Sequence, residues 1–335
     1  MNGHTSGDAQ TVDEDLAETL ERQIIAVDRR VRLGGDVYAE ETEEIRVAAR
    51  HAQALRNELG LGRLVGSLTP ATGKPQVLLA FASEVHGPVV LKVYGTTRQG
   101  EAASQRFWVA KGVRSVPILD SGDTPVSWLL MERIPDAPLW PDDADPQTRR
   151  RSLTRELAAI MMEAHACGEP DPASTHGLVR SWLRHLTIIV NVLHRHGYDV
   201  PPRWADVVRS AGVQGRRVLL HADLTVSNLI RDRRDGRLRI FDASGTIGPA
   251  AFDAARWCAR TGGASAAEEL LDDWLAVAHY IDRAQSRALL GVELLMQAGV
   301  NELVKAEKGE SVDTPDAVTT GCLERSAELL DEFDA

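Results

Sequence analysis

The most constraining feature of the sequence is a polar loop that stands between two short apolar runs. The loop, residues 221–228, reads His-Ala-Asp-Leu-Thr-Val-Ser-Asn, and the apolar runs are residues 217–220 and 238–241. Apolar runs of this length, bounded by polar and turn residues, are typical of buried strands. The dipeptide Asp235-Gly236 is a strong hairpin signal, so we expect the two strands to pair with each other.

Such a hairpin would place three oxygen-bearing side chains at one end, namely Asp223, Asn228 and Asp242, which are 5 and then 14 residues apart. Carboxylate and amide oxygens are hard ligands of the kind that Mg²⁺ takes while it keeps several waters. Phosphate chemistry also needs a separate carboxylate that orients or deprotonates the attacking hydroxyl. The pattern therefore predicts divalent-metal and phosphate chemistry at this loop.

Composition narrows the class of protein. The 335 residues correspond to about two domains or lobes. The net charge of -11 argues against non-specific binding to nucleic acid or to anionic lipid. It would suit a cationic small molecule, although mild acidity is ordinary. Cys167, Cys258 and Cys322 are far apart and lack metal spacing, which indicates a reducing compartment without disulfides or zinc.

The chain has no uninterrupted apolar run of the ~18 residues that a membrane helix needs. Its start is polar and acidic, unlike a signal or transit peptide. We therefore expect a soluble, cytoplasmic protein.

Three segments follow from the hydrophobic periodicity. Residues 1–60 carry two helical patterns, which predict a helical N-terminal extension packed on the body of the protein or on a partner. Residues 61–135 predict three strands, one helix and two further strands, which make a small mixed lobe with a five-stranded antiparallel sheet. Residues 136–335 are almost wholly helical around the polar loop. The fold class is α+β.

At this point the sequence resembles a known family. His-x-Asp-x-x-x-x-Asn, followed by an apolar strand and Asp, is similar to the catalytic signature of the aminoglycoside phosphotransferase family, within the protein-kinase-like superfamily. Residues 248–257 and 157–166 resemble two further stretches of that family, and residues 90–93 resemble its strand with the nucleotide lysine. The resemblance covers about residues 62–290, and its nearest branch is that of the streptomycin and hydroxyurea kinases.

The resemblance implies a two-lobed kinase-like fold and a role for individual residues. Asp223 would act as catalytic base or orienter of the acceptor hydroxyl, and Asn228 and Asp242 would hold Mg²⁺. His221 and Asp253 would support the loop from inside. The residues implied to bind the nucleotide, ATP or GTP, are Lys92, Glu101, Ser67, Glu132 and Ile134, with the turn at residues 69–75 covering it.

The chain also departs from the family pattern. It has no G-x-G-x-x-G sequence over the phosphates. Thr225 stands where many members have His, and Pro249 follows Gly248 without the usual intervening Asp. An acidic helix face near the C-terminus is open to two interpretations, a solvated surface or a site for a cationic acceptor. Its residues are Glu268, Glu269, Asp272 and Asp273.

The implied function is a small-molecule kinase that transfers the γ-phosphate of a nucleotide to a hydroxyl. The acceptor would be an aminoglycoside or another antibiotic, which gives resistance or self-protection. A metabolic or biosynthetic kinase of the choline, homoserine or sugar type is the alternative. A nucleotide-binding pseudokinase that recruits a partner through its N-terminal helices is a third reading, against which the intact set of Lys92, Asp223, Asn228 and Asp242 argues.

Overall fold

Two amphipathic helices begin the described part of the chain, α1 at Leu16–Gly34 and α2 at Glu41–Glu58. They form because apolar residues recur every three or four positions, and the resulting stripe is buried. Ile45, Ala48 and Ala52 on α2 have no exposed surface. The computed structural model describes residues 16–34, 40–68, 75–98, 100–140, 145–168, 176–308 and 316–333.

A five-stranded sheet follows these helices, with the strand order β1-β2-β3-β5-β4. Strands β1, β2 and β3 are antiparallel neighbours, and β3 also pairs antiparallel with β5. The prediction of a five-stranded antiparallel sheet is confirmed. The strands are β1 (Arg63–Ser67), β2 (Gln76–Ser83), β3 (Gly87–Tyr94), β4 (Ile118–Gly122) and β5 (Trp128–Glu132).

The chain divides into two units by its contacts, of which the first comprises residues 1–97 and 119–133. Within this unit α1 and α2 share one hydrophobic core with the sheet, in which Val27 and Ile45 meet Leu64, Phe81 and Leu91. The predicted helical extension therefore packs on the body of the protein. Its burial of apolar surface is the main force that holds it there.

The second unit comprises residues 98–118 and 134–335. It includes α3 (Glu101–Ala110), although the sequence places this helix in the segment 61–135. The reason is that Trp108 on α3 belongs to the large apolar core of the second unit and lies 6.2 Å from the His221 ring, centroid to centroid.

Helices make up most of the second unit, as predicted for residues 136–335. They are α4 (Pro146–Ala166), α5 (Leu178–Arg195), α6 (Trp204–Ala211), α7 (Ala251–Leu275), α8 (Arg283–Lys308) and α9 (Ala317–Asp331). Asp145 caps α4 through bonds from the amides of Gln147 and Thr148, and Pro146 takes the first helical position. Within the described ranges no helix is both long and apolar enough to cross a membrane.

Short strands surround the polar loop in two sheets of three, with the orders β10-β9-β6 and β7-β11-β8. The strands are β6 (Asp136–Ala137), β7 (His176–Gly177), β8 (Arg217–Leu220), β9 (Leu229–Asp232), β10 (Leu238–Ile240) and β11 (Thr246–Pro249).

The predicted pairing of residues 217–220 with residues 238–241 is wrong. β8 pairs antiparallel with β11, while β10 pairs antiparallel with β9, a strand that the sequence analysis did not predict. The turn signal itself is correct, because Gly236 has φ 71° and its amide donates to Asp232 O at 2.7 Å. The turn joins β9 to β10, so the polar loop connects two sheets and is not the tip of one hairpin.

The close packing of α2 on the sheet generates the first prediction. A β-carbon at Gly95, just after β3, would overlap the backbone of Glu44 in α2, whereas a β-carbon at Gly66 would have no atom within 4 Å. We expect Gly95→Ala to lower the free energy of unfolding by about 1–3 kcal/mol, since overpacking is costly. Gly66→Ala is the matched control and is expected to change it little. Equal stability of the two variants in equilibrium denaturation would contradict this packing.

Candidate active site

Asp253 fixes the start of the polar loop. It is fully buried in the first turn of α7, and its two carboxylate oxygens accept bonds from the amides of His221 at 2.9 Å and Ala222 at 2.8 Å. Ala222 has φ 60°, a left-handed conformation that costs an alanine about 1–2 kcal/mol. Because both amides have a charged acceptor, the strained turn is stabilised. These contacts are what the predicted supporting role of Asp253 requires.

A second histidine completes this support. His165, near the end of α4, lies with Nε2 3.0 Å from Asp253 Oδ2 and with Nδ1 2.7 Å from the hydroxyl of Tyr280. Burial and the charge of Asp253 raise the pKa of Tyr280, so its hydroxyl stays protonated and can donate to His165. The sequence analysis assigned no role to His165. The helix motif that ends on this histidine was the signal for a polar role.

His221 bridges the two sides of the loop. Its ring is fully buried, with Nε2 2.7 Å from Phe241 O and Nδ1 3.4 Å from the amide of Asp223. Since the Asp223 amide can only donate, Nδ1 is the acceptor and Nε2 carries the proton. The ring is thus occupied at both nitrogens, as a structural role for His221 requires.

Asp223 and Asn228 lie in direct contact. The Asn228 side-chain amide donates to Asp223 O at 2.7 Å and to Asp223 Oδ2 at 3.2 Å, and the backbone of Asn228 accepts a bond from the Phe241 amide at 3.2 Å. Asp223 is partly exposed, whereas Asn228 is buried. The loop therefore presents one oriented carboxylate at its surface.

Asp242 follows Phe241 and has φ 69°, which is unusual for a residue with a side chain. Its amide donates at 3.3 Å to the side chain of Gln105, a fully buried residue of α3 that also donates to Val116 O at 2.7 Å. Backbone strain held by surrounding bonds is common at functional sites. The structure thus brings Asp223, Asn228 and the Asp242 backbone into one connected set.

The donor set fits the hard cation that the resemblance implies. The Asn228 nitrogen is directed at Asp223, so its amide oxygen faces away from that contact, and Asp242 supplies a carboxylate. Among the described residues no group of three His, Cys, Asp or Glu side chains is arranged to hold a metal. A Mg²⁺ ion held by Asn228 and Asp242 would therefore complete its coordination with waters and phosphate oxygens.

Arg256, which sequence reasoning missed, links Asp223 to the helical core. Its Nη2 donates to Asp223 Oδ1 at 3.0 Å and its Nη1 donates to Glu293 Oε2 at 2.9 Å, and Glu293 is fully buried on α8. Burial lowers the pKa of Arg256, but the charges of Glu293 and Asp223 outweigh it and the net shift is upward. Its position three residues after Asp253 gave no signal, because both its partners are distant in sequence.

A second arginine lies one turn further along α7. Arg260 donates to Gln297 Oε1 at 2.7 Å, and burial together with the charge of Arg256 lowers the pKa of Arg260 to about 10. Both guanidinium groups remain charged near neutral pH. Glu293 offsets the charge of Arg256, whereas Arg260 contacts the neutral side chain of Gln297.

The residues predicted to bind the nucleotide fall in both units. Lys92 lies on the central strand β3, with 3% of its surface exposed and its Nζ 4.7 Å from the centre of the Tyr94 ring. Ser67 ends β1 and accepts a bond of 2.5 Å from Gln23 of α1, and Glu132 ends β5.

In the second unit Glu101 is the first residue of α3 and is buried, and Ile134 is also buried. Residues 69–74 of the predicted covering turn lie outside the described residues. The nucleotide-binding roles of all these residues stay predictions.

The predicted acidic face already has partners within the chain. Asp273 is buried, and bonds from Arg151 at 2.7 Å and Arg155 at 2.5 Å outweigh its burial and lower the pKa of the carboxyl. The other three residues are also paired with arginines: Glu268 with Arg287 and Arg325, Glu269 with Arg151, and Asp272 with Arg283. Acceptor binding by this face stays a prediction that its contacts do not favour.

Comparison with known proteins decides the family. Residues 81–289, more than half of the chain, match the family model described as the phosphotransferase enzyme family, APH. The chain belongs to the phosphotransferase enzyme family. No curated protein matches the chain in sequence. The predicted enzyme class, an ATP-dependent phosphotransferase with an alcohol group as acceptor, is thereby confirmed.

Solved structures show the same fold at low sequence identity. An aminoglycoside phosphotransferase of the APH(4)-Ia type, in a ternary complex with ADP and hygromycin B, has 15% identity and a TM-score of 0.52, over 83% of this chain and 97% of its own. A protein of the choline/ethanolamine kinase family from Mesorhizobium loti has 18% identity and a TM-score of 0.50, over 84% and 95%.

A third similar structure is a putative aminoglycoside phosphotransferase from Ralstonia eutropha JMP134, with 11% identity and a TM-score of 0.52, over 84% of this chain and 95% of its own. The predicted family and the two-lobed, kinase-like fold are confirmed.

The buried pair between Arg256 and Glu293 generates a second prediction. We expect Arg256→Leu to lower the free energy of unfolding by about 3–5 kcal/mol, because it leaves the Glu293 carboxylate buried without its partner. The double variant Arg256→Leu/Glu293→Leu is expected to recover most of that loss, as measured by equilibrium denaturation. Arg283→Leu, which breaks the exposed pair with Asp272, is the control and should cost at most about 1 kcal/mol. Equal losses in the single and the double variant would show that the two groups are not coupled.

Proposed function

We propose that this phosphotransferase moves the γ-phosphate of ATP or GTP to a hydroxyl group of a small molecule, in the cytoplasm. The observation that carries the proposal is the held carboxylate of Asp223, with Oδ1 bonded to Arg256 and Oδ2 bonded to Asn228. A carboxylate fixed at both oxygens has one orientation toward an incoming hydroxyl. The acceptor oxygen forms a bond to the γ-phosphorus while the bond from that phosphorus to the bridging oxygen breaks.

Asp223 orients the hydroxyl and takes its proton. The transition state of phosphoryl transfer is loose, so alignment contributes as much as proton removal. Arg256 keeps the carboxylate charged and in place, since its guanidinium is bonded to both Asp223 and the buried Glu293. The bonds from the His221 and Ala222 amides to Asp253 hold the start of the loop, so this arrangement is rigid before the substrate binds.

The nucleotide would be bound by Lys92, Glu101, Ser67, Glu132 and Ile134, and Mg²⁺ by Asn228 and Asp242. When bound, the ion would neutralise charge on the nucleotide phosphates. The ADP in the similar aminoglycoside phosphotransferase structure supports a nucleotide as donor. The position of Lys92 on the central strand β3 is compatible with the phosphate-binding role proposed for it.

Two classes of acceptor compete. An aminoglycoside or another antibiotic, modified for resistance or self-protection, is supported by the similar structure that holds hygromycin B. A metabolic or biosynthetic kinase is supported by the similar protein of the choline/ethanolamine kinase family and by the arginine partners of the acidic face. A pseudokinase is disfavoured, because the chain keeps Lys92, Asp223, Asn228 and Asp242.

The role of Asp223 predicts a selective loss. We expect Asp223→Asn to lower Mg²⁺-dependent nucleotide turnover by about 10²–10⁴-fold with nucleotide affinity nearly retained, because the residue acts on the acceptor or on water in its place. Release of inorganic phosphate measures the turnover, and calorimetry measures the affinity. Asp199→Asn, at an exposed position after α5, is the matched control. Full activity of Asp223→Asn would remove the proposed role.

The role of Asp242 predicts a loss of a different kind. We expect Asp242→Asn to weaken nucleotide binding by about tenfold or more in the presence of Mg²⁺ and to leave the metal-free affinity unchanged, since the amide is a poorer ligand than the carboxylate. Calorimetric titration of a non-hydrolysable nucleotide with Mg²⁺ or with a chelator separates the two terms. An equal loss in both conditions would contradict a metal-holding role for Asp242.

A further inference from the structure

A cavity of about 670 Å³ lies within the second unit, beside the first two turns of α5. We call it the arginine cavity, because its charged lining residues are Arg180, Arg184, Arg217 and His185. The rest of its lining is apolar or small, including Val213 and Gly248, and no carboxylate is among the lining residues. The arginines give the cavity a positive local field, whereas the chain as a whole has a net charge of -11.

The three arginines are available to a ligand. Within the described ranges, the side chains of Arg180, Arg184 and Arg217 have no hydrogen-bond or ion-pair partner, and all three residues are exposed. Other arginines of this unit, such as Arg151 and Arg155, are held by carboxylates. Guanidinium groups bind carboxylates and phosphates through paired N–H donors, so three of them on one cavity favour an anion. The amides of the first turn of α5 add to the same preference.

One wall of the arginine cavity is coupled to the catalytic loop. His185 lines the cavity. Desolvation and the charge of Arg256 lower the pKa of His185, while the charge of Asp223 raises it. Arg256 in turn contacts Asp223 at 3.0 Å. The cavity therefore lies within electrostatic reach of the proposed base.

The position of α5 relative to that base is fixed by packing. Trp182 on α5 stacks edge-on against Phe252 on α7, with ring centres 4.7 Å apart, and both rings are buried. Phe252 directly precedes Asp253, which holds the loop, and lies one helical turn before Arg256. The cavity and the catalytic loop thus belong to one packed arrangement of helices.

We propose that the arginine cavity binds the anionic group, a carboxylate or a phosphate, of a hydroxylated acceptor whose hydroxyl is presented to Asp223. This inference rests on the proposed function and narrows its substrate class. A polycationic aminoglycoside would meet like charges from Arg180, Arg184 and Arg217, and such repulsion discriminates strongly between partners. An anionic acceptor would be attracted by the same three groups.

The test measures occupancy of the cavity with matched probes. Ribose 5-phosphate is compared with ribose, gluconate with glucose, and kanamycin serves as the polycationic probe. Each is added to the full chain before modification by phenylglyoxal, and the modification rate of every arginine is followed by peptide mass spectrometry. We expect ribose 5-phosphate or gluconate to slow the modification of Arg180, Arg184 and Arg217 together by about tenfold or more, since each good charged contact contributes severalfold. The anion that protects identifies phosphate or carboxylate as the preferred group.

Variants decide whether the cavity is responsible. Arg184→Gln combined with Arg217→Gln is expected to abolish the protection of Arg180. Arg209→Gln, on α6 and paired with Asp206, is the control and should leave the protection intact. The proposal is overturned if neither anion protects, if ribose or kanamycin protects equally, or if the double variant keeps the protection. Phosphorylation of kanamycin at a rate that the double variant does not change would overturn it as well.

Failure of the proposed function has a separate signature. A chain that neither binds nor turns over nucleotide with Mg²⁺ would remove the kinase proposal, whatever phenylglyoxal shows. Protection of the arginines by an anion, without nucleotide turnover, would show that the cavity binds anions but is not the acceptor site of a kinase. Nucleotide turnover without protection of the three arginines would support the kinase proposal and exclude the arginine cavity as its acceptor site.

Discussion

Two backbone amides at the start of the polar loop, those of His221 and Ala222, donate to the two oxygens of the buried Asp253 carboxylate. The conformation of the loop that carries Asp223 and Asn228 depends on this contact. It holds Ala222 in a left-handed conformation that turns the chain between β8 and Asp223, and His165 secures the carboxylate from α4. A buried charge without such partners would be strongly unfavourable, so the loop and the carboxylate stabilise each other. The rigidity of the proposed active site is thus set from the helical core and not from the loop itself.

The same helix that pins the loop also sets its electrostatics. Asp253 and Arg256 are three residues apart on α7, so they lie on one face of the helix, toward the loop. One supplies a negative acceptor for backbone amides, and the other supplies a positive partner for Asp223. Glu293 on α8 offsets the buried charge of Arg256. The arrangement gives the Asp223 carboxylate a positively charged partner and a fixed orientation.

The sequence predicted contacts between residues that are close in the chain, and it failed for contacts between residues that are far apart in the chain. The spacing of Asp223 and Asn228 predicted their proximity, because only four residues separate them. The partner of β8 was mispredicted. The turn signal at residues 235–236 belongs to the hairpin of β9 and β10, and it carries no information about β8, whose pairing with β11 depends on tertiary packing. The polar role of Arg256 had no pattern to reveal it, because its partners Glu293 and Asp223 lie 37 and 33 residues away.

Net charge was the least informative quantity about the substrate. The carboxylates that make the chain acidic include Glu268, Glu269 and Asp273, which are neutralised by arginines of the same chain. Arg180, Arg184 and Arg217 instead stand around a cavity with no carboxylate in its lining. The field at the arginine cavity is set by these three guanidinium groups and is opposite in sign to the total charge of the chain. An acidic protein of this fold can therefore select an anion, and the sign of its substrate has to be taken from the paired and unpaired groups of the structure.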